Sequence, residues 1–207
     1  MPAPDQALLL IDLQRDYFAD PELDPCRDDL VATCNDLVRA AREVGVPVVE
    51  VQTVHETDRS TWTLTMVEDG QGVVERGTEG VQRVEGLDPD GAELVEKTRD
   101  SAFFGTDLAE RLKGVGVRRV VLCGVSTESC IAATARDAFA LDLEATLVSD
   151  ATASVDWSEH DHTLAMLKTQ HRQHVLTGAE VAERWRDEAG WDEAGREQAA
   201  GSDRVAG

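Results

Sequence analysis

Lysine, aromatic residues and long apolar runs are all scarce in this 207-residue sequence. Aromatic residues make up 4% of the chain, and three lysines stand against seventeen arginines. No apolar run approaches the roughly 18 residues that a membrane-spanning helix needs, so we expect no membrane partner. The four cysteines lack Cys-x-x-Cys spacing, which excludes a zinc knuckle and a thioredoxin-like site. With no signal peptide ahead of the first apolar segment, we expect reduced thiols in a cytoplasmic protein.

Basic charge is scarce relative to acidic charge. The chain has 20 Lys and Arg against 41 Asp and Glu, for a net charge of −21. Such a field repels phosphate, so we expect neither nucleic acid nor an anionic membrane as a partner. It favours a neutral or cationic small molecule over a polyanion as substrate. The composition is typical of a salt-adapted cytoplasm, but a high-GC coding sequence also replaces lysine by arginine, so the origin of the acidity stays open.

Apolar strand-like segments alternate with helix-like segments over most of the chain. The sequence predicts, in order, strand 7–12, helix 28–44, strand 47–51, a long irregular segment, strand 95–98, helix 107–113, strand 119–123, helix 130–141, strand 144–148, helix 158–169 and strand 173–176. This alternation predicts an α/β fold: a three-layer, Rossmann-like arrangement of a central, mostly parallel sheet with helices on both faces. We expect one domain over residues 1–178, then an amphipathic helix and a mobile tail over residues 179–207.

Cys130 lies between a strand-like and a helix-like segment. The junction reads Gly124-Val125-Ser126-Thr127-Glu128-Ser129-Cys130, after the apolar run 117–123 and before the alanine-rich run 131–138. At a helix start, unpaired N–H groups and the helix dipole favour a thiolate and can hold an oxyanion. The position indicates a nucleophile, although a cysteine among alanines is more often a small core residue.

Two charged residues are further candidates for a functional site. Asp12 ends the apolar run 7–11, at the edge where parallel α/β sheets bind ligands. Capping of the following turn or helix is an equally good explanation. Lys97 precedes the aromatic pair Phe103 and Phe104, and its rarity hints at a specific role, although a solvated surface lysine is the common case.

Together these segments resemble the isochorismatase-like cysteine hydrolases, a family that includes nicotinamidases, N-carbamoylsarcosine amidases, ureidoacrylate and biuret amidohydrolases and isochorismatases. The resemblance runs from about residue 7 to about residue 176. It rests on four motifs in this order: Leu10-Ile11-Asp12-Leu13-Gln14-Arg15-Asp16-Tyr17-Phe18, Lys97 with Ser101-Ala102-Phe103-Phe104-Gly105-Thr106-Asp107-Leu108, the Gly124 to Cys130 junction, and Val148-Ser149-Asp150-Ala151.

The resemblance implies a catalytic triad of Asp12, Lys97 and Cys130. Cys130 would attack a carbonyl carbon to form an acyl-enzyme that water then cleaves, with Asp12 as general base and Lys97 stabilising both charges. It also implies a cis peptide bond between Val125 and Ser126, and an oxyanion hole made by the N–H groups of Ser126 and Cys130. A triad thiolate would react with iodoacetamide at a pH well below the usual thiol pKa.

The metal site of the family's nicotinamidases is not expected in this chain. Those enzymes carry an Asp-x-His motif after the second strand and a further histidine shortly after it. This chain has Thr53 at the Asp position and no histidine between His55 and His160. We therefore expect no metal and no cofactor. The absence of the Asp-x-His motif also argues against nicotinamidase activity. His55 is either a substrate contact or, more commonly, a polar loop residue, and the later histidines are interpreted as structural or surface residues.

Residues 56–93 interrupt the strand and helix alternation with Gly-, Glu- and Asp-rich sequence. Long loops in compact domains are usually functional, so this segment is predicted to shape the substrate pocket. The candidate pocket residues are Tyr17, His55, Trp62, Met66, Phe103, Phe104 and Thr127. For Trp62, packing within the loop or at a subunit interface is an equally good interpretation.

The predicted function is a cysteine-dependent amidohydrolase that cleaves a C–N bond of a small amide, ureido or carbamoyl compound through a thioester. One alternative is vinyl-ether hydrolysis of an isochorismate-type acid, which needs acid–base help but no nucleophile. The other is a non-catalytic module that holds a metabolite with the same fold. The resemblance also implies a homodimer or homotetramer.

Overall fold

A computed structural model describes residues 5–89 and 91–190 of the chain. The strands are β1 (Gln6–Ile11), β2 (Val48–Thr53), β3 (Glu93–Lys97), β4 (Arg119–Val125), β5 (Glu144–Ala153) and β6 (His174–Leu176). The helices are α1 (Arg27–Val44), α2 (Leu64–Asp69), α3 (Leu108–Gly114), α4 (Ala132–Ala140), α5 (Trp157–Gln170) and α6 (Gly178–Glu188). The strands form one parallel sheet in the order β3-β2-β1-β4-β5-β6. The strand order therefore reverses between β1 and β4.

Helices cover both faces of the sheet, and each face has its own apolar core. Residues of α1 and α6 pack with Leu8 and Leu10 on one face, and residues of α3, α4 and α5 pack with Leu9 and Ile11 on the other. β1 is buried along its whole length, which explains its continuous apolar sequence. The predicted three-layer α/β architecture is confirmed. None of the helices in the described residues is long and apolar enough to cross a membrane.

The structure corrects several predicted bounds near the site. β4 and β5 extend to Val125 and Ala153, past the predicted ends at 123 and 148, because strand pairing continues through residues that interrupt the apolar runs. The helix predicted from residue 130 begins at Ala132, after a turn of π-helix over Thr127–Ile131. The short helix α2 lies in the segment predicted to be irregular, because six residues show too little apolar periodicity.

The loop that follows β2 is bonded to the segment that follows β1. Gln14 and Arg83 form an isolated antiparallel bridge, and Asp16 Oδ2 accepts a hydrogen bond from the Val74 N–H at 2.6 Å. The loop over residues 56–73 starts and ends at neighbouring points, because His55 and Glu75, which flank it, form a parallel bridge. These bonds hold residues 74–84 near the carboxyl ends of β1 and β2.

Helix α6 packs into the same core as α1. Its residue Trp185 is buried, and the Nε1–H of Trp185 donates to Gln6 Oε1 at 2.9 Å. Thr177 and Glu180 form a capping box at the start of the helix. The predicted C-terminal helix thus corresponds to α6, while the predicted mobile tail, the last dozen residues, lies outside the described residues. The domain boundary at residue 178 stays a prediction.

Candidate active site

The site lies at the carboxyl ends of β1, β3 and β4, beside the β1–β4 pair where the strand order reverses. Asp12 follows β1, Lys97 ends β3, and the segment leading to Cys130 follows β4. In open parallel sheets, ligands bind outside the carboxyl ends of the strands at such a reversal. The topology therefore brings these three residues to the edge where a ligand is expected.

Asp12 and Lys97 form a buried ion pair beside the cysteine. Lys97 Nζ lies 2.7 Å from Asp12 Oδ2, and both side chains are 0% exposed. Lys97 Nζ also lies 3.5 Å from Cys130 Sγ, and Cys130 is 7% exposed. A buried charge is tolerated where an opposite charge and hydrogen bonds accompany it, and each ion here has both.

The charges of this cluster determine the state of the thiol. Burial, and then the Asp12 carboxylate, raise the pKa of Cys130 and outweigh the lowering by Lys97. For Lys97, burial opposes the charge, but Asp12 and Cys130 together raise its pKa. These directions favour an ammonium at Lys97 and a protonated thiol at Cys130 in the resting site. Desolvation of the sulfur is the largest cause of the Cys130 shift, and it opposes the thiolate that the sequence predicts.

The turn that carries Cys130 is fixed by hydrogen bonds from several directions. The peptide bond between Val125 and Ser126 is cis. Ser126 O accepts from the N–H groups of Ser129 at 3.2 Å and Ile131 at 3.1 Å. Thr127 is buried, and its Oγ1 lies 2.8 Å from His160 Nδ1 in a hydrogen bond. The role of the Ser126 and Cys130 N–H groups as an oxyanion hole stays a prediction.

Gly124 allows β4 to approach β1 at the site. Its φ is +123°, and a Cβ atom at this position would lie 1.8 Å from Ile11 O. A side chain would therefore collide with the backbone that leads directly into Asp12. The glycine of the Gly124 to Cys130 junction thus has a steric reason independent of chemistry.

Thr53 lies at the centre of the site, although the sequence marked it merely as a departure from a metal motif. Its Oγ1 lies 2.8 Å from Asp12 Oδ1 and 2.7 Å from Lys97 Nζ, in hydrogen bonds to both. Its backbone N–H donates to Asp12 Oδ1 at 2.9 Å. Thr53 ends β2, the strand between those of Asp12 and Lys97. That strand-end position is the sequence signal that could have identified it.

Tyr17, a predicted pocket residue, lies within electrostatic reach of Asp12 and Cys130. Burial, followed by the charges of Asp12 and Cys130, raises the pKa of Tyr17 well above its usual value. The phenol is therefore protonated and available as a hydrogen-bond donor.

The other candidate pocket residues are distributed between core and surface. His55 is buried, its Nδ1–H donates to Thr61 O at 3.0 Å, and burial lowers the pKa of the ring, so the imidazole is neutral. Trp62 and Met66 are buried within the loop. Phe103 is buried, whereas Phe104 is 64% exposed. Their roles as pocket walls stay predictions.

The donors near the end of β2 do not fit a divalent metal. Thr53 is hydrogen-bonded to Asp12 and Lys97, and His55 Nδ1 donates to a backbone carbonyl. Within residues 5–89 and 91–190, no group of three or more His, Cys, Asp or Glu side chains is arranged to hold a metal ion. The ammonium of Lys97 would also repel a cation placed beside Thr53.

The fold and the site define a doubly wound α/β protein with a buried Asp, Lys and Cys cluster where the strand order reverses. The Isochorismatase domain model matches residues 6–180, and the chain belongs to this family. A probable inactive nicotinamidase from Arabidopsis thaliana is 34% identical over 174 residues, which cover 78% of this chain and 87% of that protein. A probable isochorismatase from Pseudomonas chlororaphis is 34% identical over 166 residues, covering 79% and 78%.

The solved structures agree with the family assignment. The crystal structure of a nicotinamidase/pyrazinamidase from Bacillus subtilis matches with a TM-score of 0.74 and 27% identity, covering 83% of this chain and 98% of that one. The predicted resemblance is confirmed. The family includes proteins named for amide hydrolysis and proteins named for isochorismate hydrolysis.

Proposed function

We propose that this protein is a cysteine-dependent amidohydrolase that cleaves a C–N bond of a small amide, ureido or carbamoyl compound. The observation that carries the proposal is the buried Asp12–Lys97 ion pair, with Cys130 Sγ 3.5 Å from Lys97 Nζ. Covalent acyl transfer needs a nucleophile, a base to take its proton and a stabiliser for the charge that forms. These three side chains supply one group of each kind.

The first half-reaction begins with the proton of the thiol moving from Sγ to the Asp12 carboxylate. The sulfur lone pair then forms a bond to the substrate carbonyl carbon, and the C=O electron pair moves to the oxygen. When that pair returns, the C–N bond breaks, and the leaving nitrogen takes the proton from Asp12. The products of this half are an amine or ammonia and a Cys130 thioester.

The second half-reaction releases the acid and restores the thiol. Asp12 takes a proton from water as the water oxygen attacks the thioester carbon. The C–S bond breaks, and the departing sulfur takes the proton back from Asp12. Lys97 keeps one positive charge throughout, so the negative charge can pass between Asp12 and Cys130 without being left unpaired.

The experiment is a measurement of ammonia or amine release from a panel of small amides, ureido acids and carbamoyl compounds. Wild type, Cys130→Ala and a control that removes a different thiol, Cys26→Ala, are compared. We expect release from wild type and Cys26→Ala, and none from Cys130→Ala. Mass spectrometry of the quenched reaction should show an acyl adduct on the Cys130 peptide. Equal release by Cys130→Ala would overturn the covalent mechanism.

A second candidate is vinyl-ether hydrolysis, which the similarity to a probable isochorismatase supports. That reaction needs a proton donor but no covalent adduct, so Cys130→Ala would retain activity on an isochorismate-type acid. The similarity to a probable inactive nicotinamidase supports a third, non-catalytic candidate. In that case wild type would bind members of the panel in calorimetry without releasing amine.

A further inference from the structure

We propose that Thr53 is a positioning residue that determines which oxygen of Asp12 takes the Cys130 proton. The proposal rests on the proposed amidohydrolase function. It adds a fourth residue to the machinery and assigns an atom, Oδ2, to the proton-transfer step.

The assignment follows from counting lone pairs on Asp12. Each carboxylate oxygen accepts about two hydrogen bonds. Oδ1 accepts from the Thr53 N–H at 2.9 Å and from the Thr53 hydroxyl at 2.8 Å, which fills it. Within the described residues, Oδ2 accepts from Lys97 Nζ at 2.7 Å, which leaves one lone pair on that atom. Lys97 Nζ, which is bonded to Oδ2, also lies 3.5 Å from Cys130 Sγ, so Oδ2 is the oxygen on the side of the thiol and is the one with a lone pair left for its proton.

The hydroxyl of Thr53 has a defined direction because Lys97 has no acceptor. An ammonium can donate but not accept, so the Lys97 Nζ to Thr53 Oγ1 contact at 2.7 Å runs from nitrogen to oxygen. The hydroxyl proton is then free to point at Asp12 Oδ1. Thr53 thus joins the base and the cation in one hydrogen-bond chain, and rotation of the Asp12 carboxylate would break two of its bonds.

Thr53 is itself held by Gln14, a residue of the first motif. Gln14 Nε2 donates to Thr53 O at 2.9 Å, and Gln14 Oε1, at 3.0 Å, shares the Thr53 N–H with Asp12 Oδ1 in a bifurcated hydrogen bond. Gln14 is fully buried. Its carboxamide bonds to the backbone C=O and N–H of Thr53, as a residue of a neighbouring strand would. The positioning residue therefore has a rigid backbone, which a precise hydrogen-bond donor requires.

The proton path is then specific. The thiol proton moves from Cys130 Sγ to Asp12 Oδ2, and the same atom returns it to the leaving nitrogen. Oδ1 keeps both Thr53 bonds in each step. Misplacement of a catalytic group by about 1 Å typically costs about 10²-fold in rate, so loss of the Thr53 hydroxyl should reduce turnover more than substrate binding.

The test compares wild type with Thr53→Val, Thr53→Ser and Thr152→Val. Valine keeps the shape of threonine but not the hydroxyl, and serine keeps the hydroxyl. Thr152 is a matched control, because it is a buried strand residue whose Oγ1 donates to a backbone carbonyl, Val148 O, rather than to the triad. Thermal unfolding of each variant establishes that it is folded.

With an amide substrate, we expect kcat of Thr53→Val to fall about 10²-fold while KM stays within about threefold. Thr53→Ser should recover kcat to within about threefold of wild type, and Thr152→Val should keep it. The proposal is overturned if Thr53→Val keeps its kcat, if Thr53→Ser loses as much as Thr53→Val, or if the loss falls on KM alone.

A second readout needs no substrate, so it separates failure of this proposal from failure of the proposed function. The S–H stretching band of Cys130, identified as the band absent from Cys130→Ala, reports the hydrogen bond that this proposal places between the thiol and Asp12 Oδ2. We expect it to move to higher frequency in Thr53→Val and to stay in place in Thr53→Ser and Thr152→Val. An unmoved band in Thr53→Val contradicts the proposal, even where no amide is cleaved.

Discussion

Asp12 and Lys97 are 85 positions apart in sequence and 2.7 Å apart in the structure, and neither side chain is exposed. Such a pair is not evidence of stability, because removing both ions from water has a cost similar to what their attraction returns. Replacing only one residue of the pair has a larger cost, since it leaves the other charge buried without its partner.

A double replacement of this pair should therefore destabilise the fold by less than the two single replacements added together. We expect Asp12→Asn and Lys97→Met each to lower the free energy of unfolding by about 3–5 kcal/mol, and the double variant to lose less than their sum. Urea titration of the four proteins measures this coupling. Strictly additive losses would contradict it.

The pH dependence of Cys130 follows from its raised pKa. At a given pH the thiolate fraction is smaller than that of an ordinary thiol, so iodoacetamide should modify Cys130 more slowly than glutathione at neutral pH. The rate of modification should continue to increase as the pH rises above about 8.5, the pKa of an ordinary thiol. Lys97→Met should slow modification further, because Lys97 lowers the pKa of the thiol.

The same shift links Cys130 to stability with a definite sign. The folded state holds the thiol proton more tightly than the unfolded state, so this stabilisation is complete below about pH 8.5 and declines as the pH rises. Urea titration at several pH values measures this change in the free energy of unfolding. Peptide mass spectrometry measures the modification of Cys130 by iodoacetamide. Modification of Cys130 faster than that of glutathione at pH 7 would contradict the assignment of a protonated thiol.

Gly124→Ala should damage fold and activity together. The new Cβ would lie 1.8 Å from Ile11 O, and the φ of +123° is unfavourable for alanine. We expect a loss of more than about 2 kcal/mol, measured by thermal unfolding. Gly114→Ala is the matched control, because nothing lies within 4 Å of its added Cβ. It should keep activity and change stability by less than about 1 kcal/mol.

The capping box of α6 provides a test far from the site. Thr177 Oγ1 accepts from the Glu180 N–H at 3.3 Å, and Glu180 accepts from the Thr177 N–H at 2.7 Å. Thr177→Ala should lower the free energy of unfolding by about 1 kcal/mol and leave turnover unchanged. Thr169→Ala, an exposed hydroxyl bonded within its own helix, should change stability less. Equal losses in a denaturation series would show that the cap has no special contribution.

The sequence predicted those parts of the site that local patterns mark. Asp12 ends an apolar run and Cys130 begins a small-residue helix, so each strand end was visible within a dozen residues. Thr53 was not recognised, because its role depends on β2 lying between β1 and β3, a pairing of distant segments. The direction of the Cys130 pKa shift is not predictable from local patterns either, since it depends on how completely the fold buries the sulfur, which no short segment records.

The bridge between His55 and Glu75 has a consequence for how this protein could acquire a new specificity. Because the two ends of the loop over residues 56–73 are held together, the loop could be exchanged for another without moving the strands that flank it. Closing a loop of twice the length adds only about 0.6 kcal/mol, so recombination or library design could replace this stretch wholesale. Under the proposed function, the chemistry would stay with Asp12, Lys97 and Cys130, and a loop that shapes the substrate pocket, as the sequence predicts, could change the choice of substrate independently of it.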